Sequence, residues 1–244
     1  MKYIVSISGG KDSTACLLYM LERVKKRDVV PIFCDTKWEH ELTYKYLNYL
    51  EEILNIKIVR IESEGMEALV KRIKCLPNHF KRFCTKELKT KPFHKWLRGN
   101  FTDKKEFIVV EGIRREESRA RSGTESFEVK ESYFHKGLFI PTLYPIVYWS
   151  KDKVINYIKS KQIKLNPLYA KGYSRVGCFP CVFWGKQDLR LFANEEKYLK
   201  RMRNLEEEVS KLIGKKVKFF EDARDKFLRE RMLFEVEELF EEAE

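Results

Sequence analysis

Ser8-Gly9-Gly10-Lys11-Asp12-Ser13 decides the reading of this chain. It follows a short apolar run, Tyr3-Ile4-Val5-Ser6-Ile7, and precedes an apolar-periodic segment, Thr14-Ala15-Cys16-Leu17-Leu18-Tyr19-Met20-Leu21. The order predicts strand, glycine turn, helix. Two glycines let the backbone approach a ligand closely, and amides at a helix start point at whatever sits there. Lys11 adds a mobile positive charge, and Ser8 and Ser13 add hydroxyls, a set suited to a polyphosphate. A Walker-type loop is excluded, because that motif needs Gly at position 5 and Ser or Thr at position 12. Here those positions are Val5 and Asp12.

Outward from this loop, strand-like runs recur at 3–7, 29–34, 56–61 and 107–111. Helical patterns at 13–27, 41–54, 66–74 and 86–97 separate them. The alternation predicts an α/β fold, a doubly wound and mostly parallel sheet with helices on both faces. Ligands in such sheets bind beyond the carboxyl ends of the strands. The glycine loop, Asp35 and the stretch 111–114 should all emerge there. A further helix is expected after Ser150, a good N-cap. Tyr198, Met202, Leu205, Val209 and Leu212 recur at steps of three and four, the packing stripe of a late helix. We divide the chain into a nucleotide-binding α/β domain (1–165), a Cys-x-x-Cys segment (166–190) and a helical extension (191–244).

The 244 residues carry a net charge of +12, unevenly spread. The last thirteen hold six Glu and no Lys or Arg, so removing them leaves +18 on the other 231. Such an excess attracts phosphate-bearing partners, nucleotides or nucleic acid, although a solvated lysine-rich surface gives the same count. No apolar run approaches the ~20 residues of a membrane span and no signal-peptide pattern is present, so a cytoplasmic protein without membrane contact is expected. Six cysteines in that compartment should be reduced. Cys16 and Cys34 lie on apolar faces and read as core.

Five stretches carry a family resemblance. The loop itself resembles the pyrophosphate-binding loop of the adenine-nucleotide α-hydrolases, the N-type ATP pyrophosphatases. Asp35-Thr36, at the end of the second strand, resembles the phosphoadenosine phosphosulfate reductase-like branch. Arg82-Phe83-Cys84-Thr85-Lys86-Glu87-Leu88-Lys89 resembles that branch's Cys-and-basic segment. Glu111-Gly112-Ile113-Arg114-Arg115-Glu116-Glu117-Ser118-Arg119 resembles its Gly-Ile-Arg motif. Asn166-Pro167-Leu168-Tyr169 followed by Arg175-Val176-Gly177-Cys178-Phe179-Pro180-Cys181 resembles its late Cys-x-x-Cys segment. The chain is identified as a member of this branch, near the DNA phosphorothioation enzymes, from residue 3 to about residue 190.

The resemblance implies a set of expectations. Ser8 to Ser13 hold ATP with Mg2+, and Asp35, Thr36, Gly112 and Arg114 complete the nucleotide site. Lys11, Asp12 and Arg114 are the candidate catalytic residues. Lys89 and Arg119 offer further positive charge. Cluster-bearing members carry adjacent cysteines in the middle segment, where this chain has Cys84-Thr85. Three matching thiols remain, Cys84, Cys178 and Cys181, as candidate ligands of a 4Fe-4S cluster, with zinc as the alternative. Cys75 is a candidate fourth ligand that the family pattern does not place. Reductases of the branch also use a late catalytic cysteine, and no cysteine follows Cys181. The expected activity is therefore an ATP pyrophosphatase that adenylylates an acceptor for sulfur transfer, with tRNA or DNA as candidate acceptor and a sulfur donor protein as candidate partner. Two alternatives stay open: a sulfonucleotide reductase using an external thiol, and a nucleotide-binding subunit without chemistry. The oligomeric state is left open, a homodimer included.

Overall fold

The computed structural model describes residues 1–78, 80–101 and 106–220. Six strands form one sheet in the order β3-β2-β1-β4-β6-β5. They are β1 Lys2–Ser6, β2 Val29–Asp35, β3 Val59–Glu62, β4 Phe107–Val110, β5 Phe127–Glu131 and β6 Phe139–Leu143. All neighbouring pairs are parallel except β5 with β6. The predicted doubly wound α/β architecture is what forms. Strand order reverses at β1, with β2 on one side and β4 on the other, both parallel to it, and this opens the crevice where such sheets bind ligands.

Alternation along the strands divides the interior. Val5, Val29 and Phe33 face a cluster built with α1 (Lys11–Arg23), α2 (Glu41–Leu54) and α6 (Lys151–Ser160). Ile4, Ile32, Ile61, Phe107 and Val109 face the opposite side, where α5 (Lys91–Asn100) contributes Leu97. Successive strand residues point to opposite faces, so Ile4 and Val5 serve two different cores. Ser150 caps α6 through its side chain, which accepts from the Lys153 amide at 3.1 Å.

Four differences from the sequence expectation have identifiable causes. The third strand begins at Val59, because the Asn55 turn occupies a left-handed conformation and delays entry into the sheet. The helix expected at 86–97 extends over 83–100 and contains a wide turn at Lys86–Thr90 between α4 (Phe83–Thr85) and α5. Strands β5 and β6 were absent from the sequence reading. Phe-Glu-Val-Lys-Glu of β5 is a solvated edge without a buried face, and Pro141 interrupts β6, where it cannot donate to a ladder. Finally, Leu212 is 50% exposed, whereas Tyr198, Met202, Leu205 and Val209 of α9 (Glu196–Ile213) are buried.

A third cluster lies beyond the strand ends. Trp38, Met66, Leu88, Phe179, Trp184 and Phe192 pack there with the buried stripe of α9. It joins the Cys-x-x-Cys segment to the end of β2, α3 (Met66–Ile73), α8 (Lys186–Phe192) and α9. The last 24 residues of the expected helical extension, 221–244, lie outside the described residues. Among the described residues no helix is long and apolar enough to cross a membrane.

Candidate functional site: a glycine loop beside a thiol-lined cavity

The glycine loop connects β1 to α1, with Gly10 as the helix N-cap. Gly9 has φ +76°, and a Cβ there would also lie 2.8 Å from Thr43 Cγ2. Both conditions require glycine. The serines hold the turn together: Ser13 Oγ accepts from the Ser8 amide at 3.1 Å and donates to the Gly10 carbonyl at 2.9 Å. Asn166, which caps α7 (Pro167–Ala170), donates from Nδ2 to the Gly9 carbonyl at 3.1 Å. Tyr169, one turn later, accepts from the Lys11 amide through its hydroxyl at 3.0 Å. The Asn166-Pro167-Leu168-Tyr169 motif therefore props the loop from outside. Its Asn-Pro pair signals a helix start in the sequence, but nothing local announces its target 157 residues away.

Asp12 is the electrostatic hinge of the loop. Its Oδ2 lies 3.1 Å from Lys11 Nζ and its Oδ1 accepts from Arg114 Nε at 2.6 Å. Arg114 is only 4% exposed and also donates to Glu116 at 2.8 Å. Gly112 allows this approach, since a Cβ there would sit 2.7 Å from the Asp12 carbonyl carbon. Two of the predicted catalytic residues, Lys11 and Arg114, thus spend their charge on the third. Burial pushes the neighbouring Glu111 carboxyl above its usual range, with Lys130 and Arg121 pulling weakly the other way.

Asp35, at the end of β2, accepts from the Lys37 amide and from the Tyr44 hydroxyl, both at 2.7 Å. Thr36 is buried and donates to Glu39 Oε1 at 2.7 Å. The turn that follows clamps the cysteine segment. Glu39 and Cys178 form an isolated antiparallel bridge, the Phe179 amide donates to the Trp38 carbonyl at 2.6 Å, and Trp38 Nε1 donates to the Pro180 carbonyl at 3.2 Å. Glu39 was not singled out by sequence reasoning, since nothing local marks it as the partner of a segment 139 residues away. It is 4% exposed, and burial raises its pKa against the pull of Lys89.

One cavity of about 150 Å³ connects these parts. Ser8 of the loop, Thr36, Lys89, Cys84, Cys178 and Cys181 all line it. Three of the four predicted thiols therefore converge, across nearly a hundred residues of sequence. Cys75 does not line the cavity; its thiol turns to the Leu76 carbonyl at 3.4 Å. Burial pushes the Cys178 thiol up to about 11 and raises Cys84, while Lys89 pulls Cys178 the other way. In return Cys178, with Glu39 and Cys181 behind it, raises the Lys89 ammonium. Lys89 stays charged. Among the described residues no three His, Cys, Asp or Glu side chains are placed to hold one metal ion. Neither the expected 4Fe-4S cluster nor its zinc alternative is shown by this arrangement; what the three thiols share is the lining of one cavity.

Comparison with known proteins agrees with the geometry. Residues 2–183 match the phosphoadenosine phosphosulfate reductase domain, and the chain belongs to that family. It is 33% identical over 178 residues to an uncharacterised protein of Methanocaldococcus jannaschii, covering 73% of this chain and 35% of that protein. The chain thus spans about a third of that relative. It is 30% identical over 186 residues to the phosphoadenosine 5'-phosphosulfate reductase of Buchnera aphidicola, covering 71% of this chain and 68% of the reductase. The crystal structure of a phosphoadenylyl-sulfate reductase from Candida auris superposes with a TM-score of 0.55 at 19% identity, covering 74% of this chain and 83% of that one, which supports the shared fold.

Proposed function

We propose that this chain is an enzyme that binds an adenine nucleotide with its phosphates at the glycine loop and carries out sulfur chemistry in the adjoining cavity. The observation that carries the reading is the shared wall: Ser8 and the thiols of Cys84, Cys178 and Cys181 border one space. A phosphate group seated at the start of α1 would extend toward sulfur.

The reading we favour takes ATP. An acceptor oxygen attacks the α-phosphorus, the bond to the bridging oxygen breaks, and pyrophosphate leaves with that electron pair. Sulfur from a donor then displaces AMP from the activated acceptor. Lys11 and the amides of the loop would stabilise charge on the departing pyrophosphate. Because Lys11 is paired to Asp12 at 3.1 Å, this requires the ammonium to swing from Asp12 to the phosphates, leaving Arg114 to hold Asp12. Magnesium would arrive with the phosphates, as it is commonly held through one or two carboxylates plus substrate oxygens. Asp12 in the first turn of α1 and Asp35 at the end of β2 are two carboxylates of this region. A net charge of +18 outside the last thirteen residues suits a nucleic-acid acceptor.

Cys84, Cys178 and Cys181 would hold a 4Fe-4S cluster, which when bound supplies a polarisable iron–sulfur surface beside the nucleotide. Lys89 places a fixed positive charge against those thiols, and Glu39 and Thr36 orient Cys178 at 3.9 and 3.7 Å.

A second reading is favoured by the Buchnera relative's name: reduction of a sulfonucleotide. The electron pair for sulfite release would then come from an external thiol. Incubating the purified protein anaerobically with ATP, and separately with adenosine phosphosulfate plus a dithiol protein, distinguishes the two. Pyrophosphate and AMP from ATP support the first reading. Sulfite from the sulfonucleotide, without pyrophosphate from ATP, replaces it with the second.

A further inference from the structure

The cavity carries more positive charge than its thiols and loop account for. Three cations line it, Arg82, Lys89 and Arg175, and no carboxylate does. Lys89 sits against Cys178 and Glu39. The two arginines form a separate group. The Arg82 guanidinium lies 4.4 Å from the centre of the Phe183 ring and the Arg175 guanidinium lies 5.6 Å from the same centre. Arg82 enters from the segment before α4 and Arg175 from the loop before Cys178, so two distant parts of the chain bring like charges to one aromatic ring. Both side chains are exposed, which puts them at the open end of the cavity.

We propose that Arg82 and Arg175, held over Phe183, form a second oxyanion subsite at the cavity's open end. It takes a phosphate or sulfonate group from a substrate whose adenylate is bound at the glycine loop. The proposal deepens the function proposed above and rests on it for the position of the adenylate. Like charges on one ring raise the local potential, and an oxyanion between them lowers it. Guanidinium is the group suited to this, because its planar fork binds phosphate or sulfonate through paired hydrogen bonds while its face stacks on an aromatic ring. The contrast with Arg114 is informative. That arginine is buried with its charge already met by Asp12 and Glu116, whereas no carboxylate lies within ion-pair distance of Arg82 or Arg175 among the described residues. The oxyanion has two sources: the distal group of the nucleotide itself, or a phosphate of the acceptor.

The test is equilibrium dialysis of radiolabelled inorganic phosphate against the full chain saturated with AMP, at low ionic strength. Wild type should take up one phosphate per chain. Arg82→Gln and Arg175→Gln should each weaken it about tenfold, the loss of one charge-assisted contact, and Phe183→Leu should weaken it too by releasing both guanidinium groups. AMP binding should be unchanged in all three, which also shows that they fold. Displacement of phosphate by ATP or adenosine phosphosulfate identifies the nucleotide as source. Displacement by a short single-stranded oligonucleotide, with AMP retained, identifies the acceptor. Equal phosphate affinity in wild type and in the double arginine variant, or no phosphate uptake by wild type, overturns the subsite. Phosphate uptake without any AMP binding would keep the subsite and remove the nucleotide reading instead.

Discussion

The glycine loop and the cavity beside it handle positive charge in opposite ways. In the loop, Lys11 and Arg114 converge on Asp12, and Arg114 reaches on to Glu116. In the cavity, Arg82, Lys89 and Arg175 line a space bordered by thiols and backbone, with no carboxylate on its wall. The loop is built as a rigid, internally neutralised seat. The cavity gathers its positive charge on a wall without a carboxylate. The lesson is that the motif most visible in the sequence meets its own charge, whereas Arg82, Lys89 and Arg175, quoted only as parts of longer stretches, come together on a wall without a carboxylate.

Breaking the scaffold should therefore cost stability first. Arg114→Met removes a buried partner and leaves Asp12 with Lys11 alone; we expect a loss of about 3 kcal/mol by chemical denaturation, in the range for breaking buried pairs. A loss near zero would show that Arg114 is a solvent-accessible ligand group. Gly112→Ala comes next. Its Cβ would meet the Asp12 backbone at 2.7 Å, with no flexible side chain to yield. Overpacking of this kind costs about 1–3 kcal/mol, and AMP affinity should fall with it because the start of α1 must move.

A smaller, pH-dependent effect should appear at Glu111. Burial raises its folded pKa above the ordinary value of 4.5. The folded state then binds more protons than the unfolded state between those two pKa values, so stability falls as pH rises through that window. Glu111→Gln should remove this slope: the variant's melting temperature relative to wild type should climb as pH rises from about 4.5 through the raised folded pKa. Parallel curves for the two proteins would contradict the burial argument. Smallest in stability terms are the cavity cations. Lys89→Met should change the melting temperature little while weakening sulfate or phosphate binding, the reverse of Arg114→Met.

Much of this fold was legible in local patterns. β1, the glycine turn and α1 are announced by an apolar run, two glycines and a 3.6-residue period, and α2 begins and ends where its pattern does. β5 and β6 were not legible, because β5 is an almost wholly exposed edge and β6 is a five-residue strand with Pro141 at its centre, although Ile140 to Thr142 are buried. The site divides in the same manner. Ser8 to Ser13 declare themselves, and family resemblance marked Cys84, Cys178 and Cys181, which do share a cavity. That Asp12 would consume the charges of Lys11 and Arg114 depends on a contact across 102 residues. Glu39, Tyr169 and the Arg82–Phe183–Arg175 group likewise depend on tertiary contacts, and a single sequence does not show which distant residues meet.

The central claim is that the nucleotide loop and the thiol cavity are one site, and alkylation kinetics test it most directly. The purified protein is treated with chelator and then iodoacetamide, with and without saturating ATP or adenosine phosphosulfate, and each cysteine is followed by mass spectrometry. Cys84, Cys178 and Cys181 line the cavity with Ser8, whereas Cys75 is half-buried elsewhere and serves as the internal control. The account predicts that nucleotide slows modification of the three cavity thiols several-fold and leaves Cys75 unchanged. Saturating nucleotide that protects none of the three, or protects Cys75 equally, would contradict it.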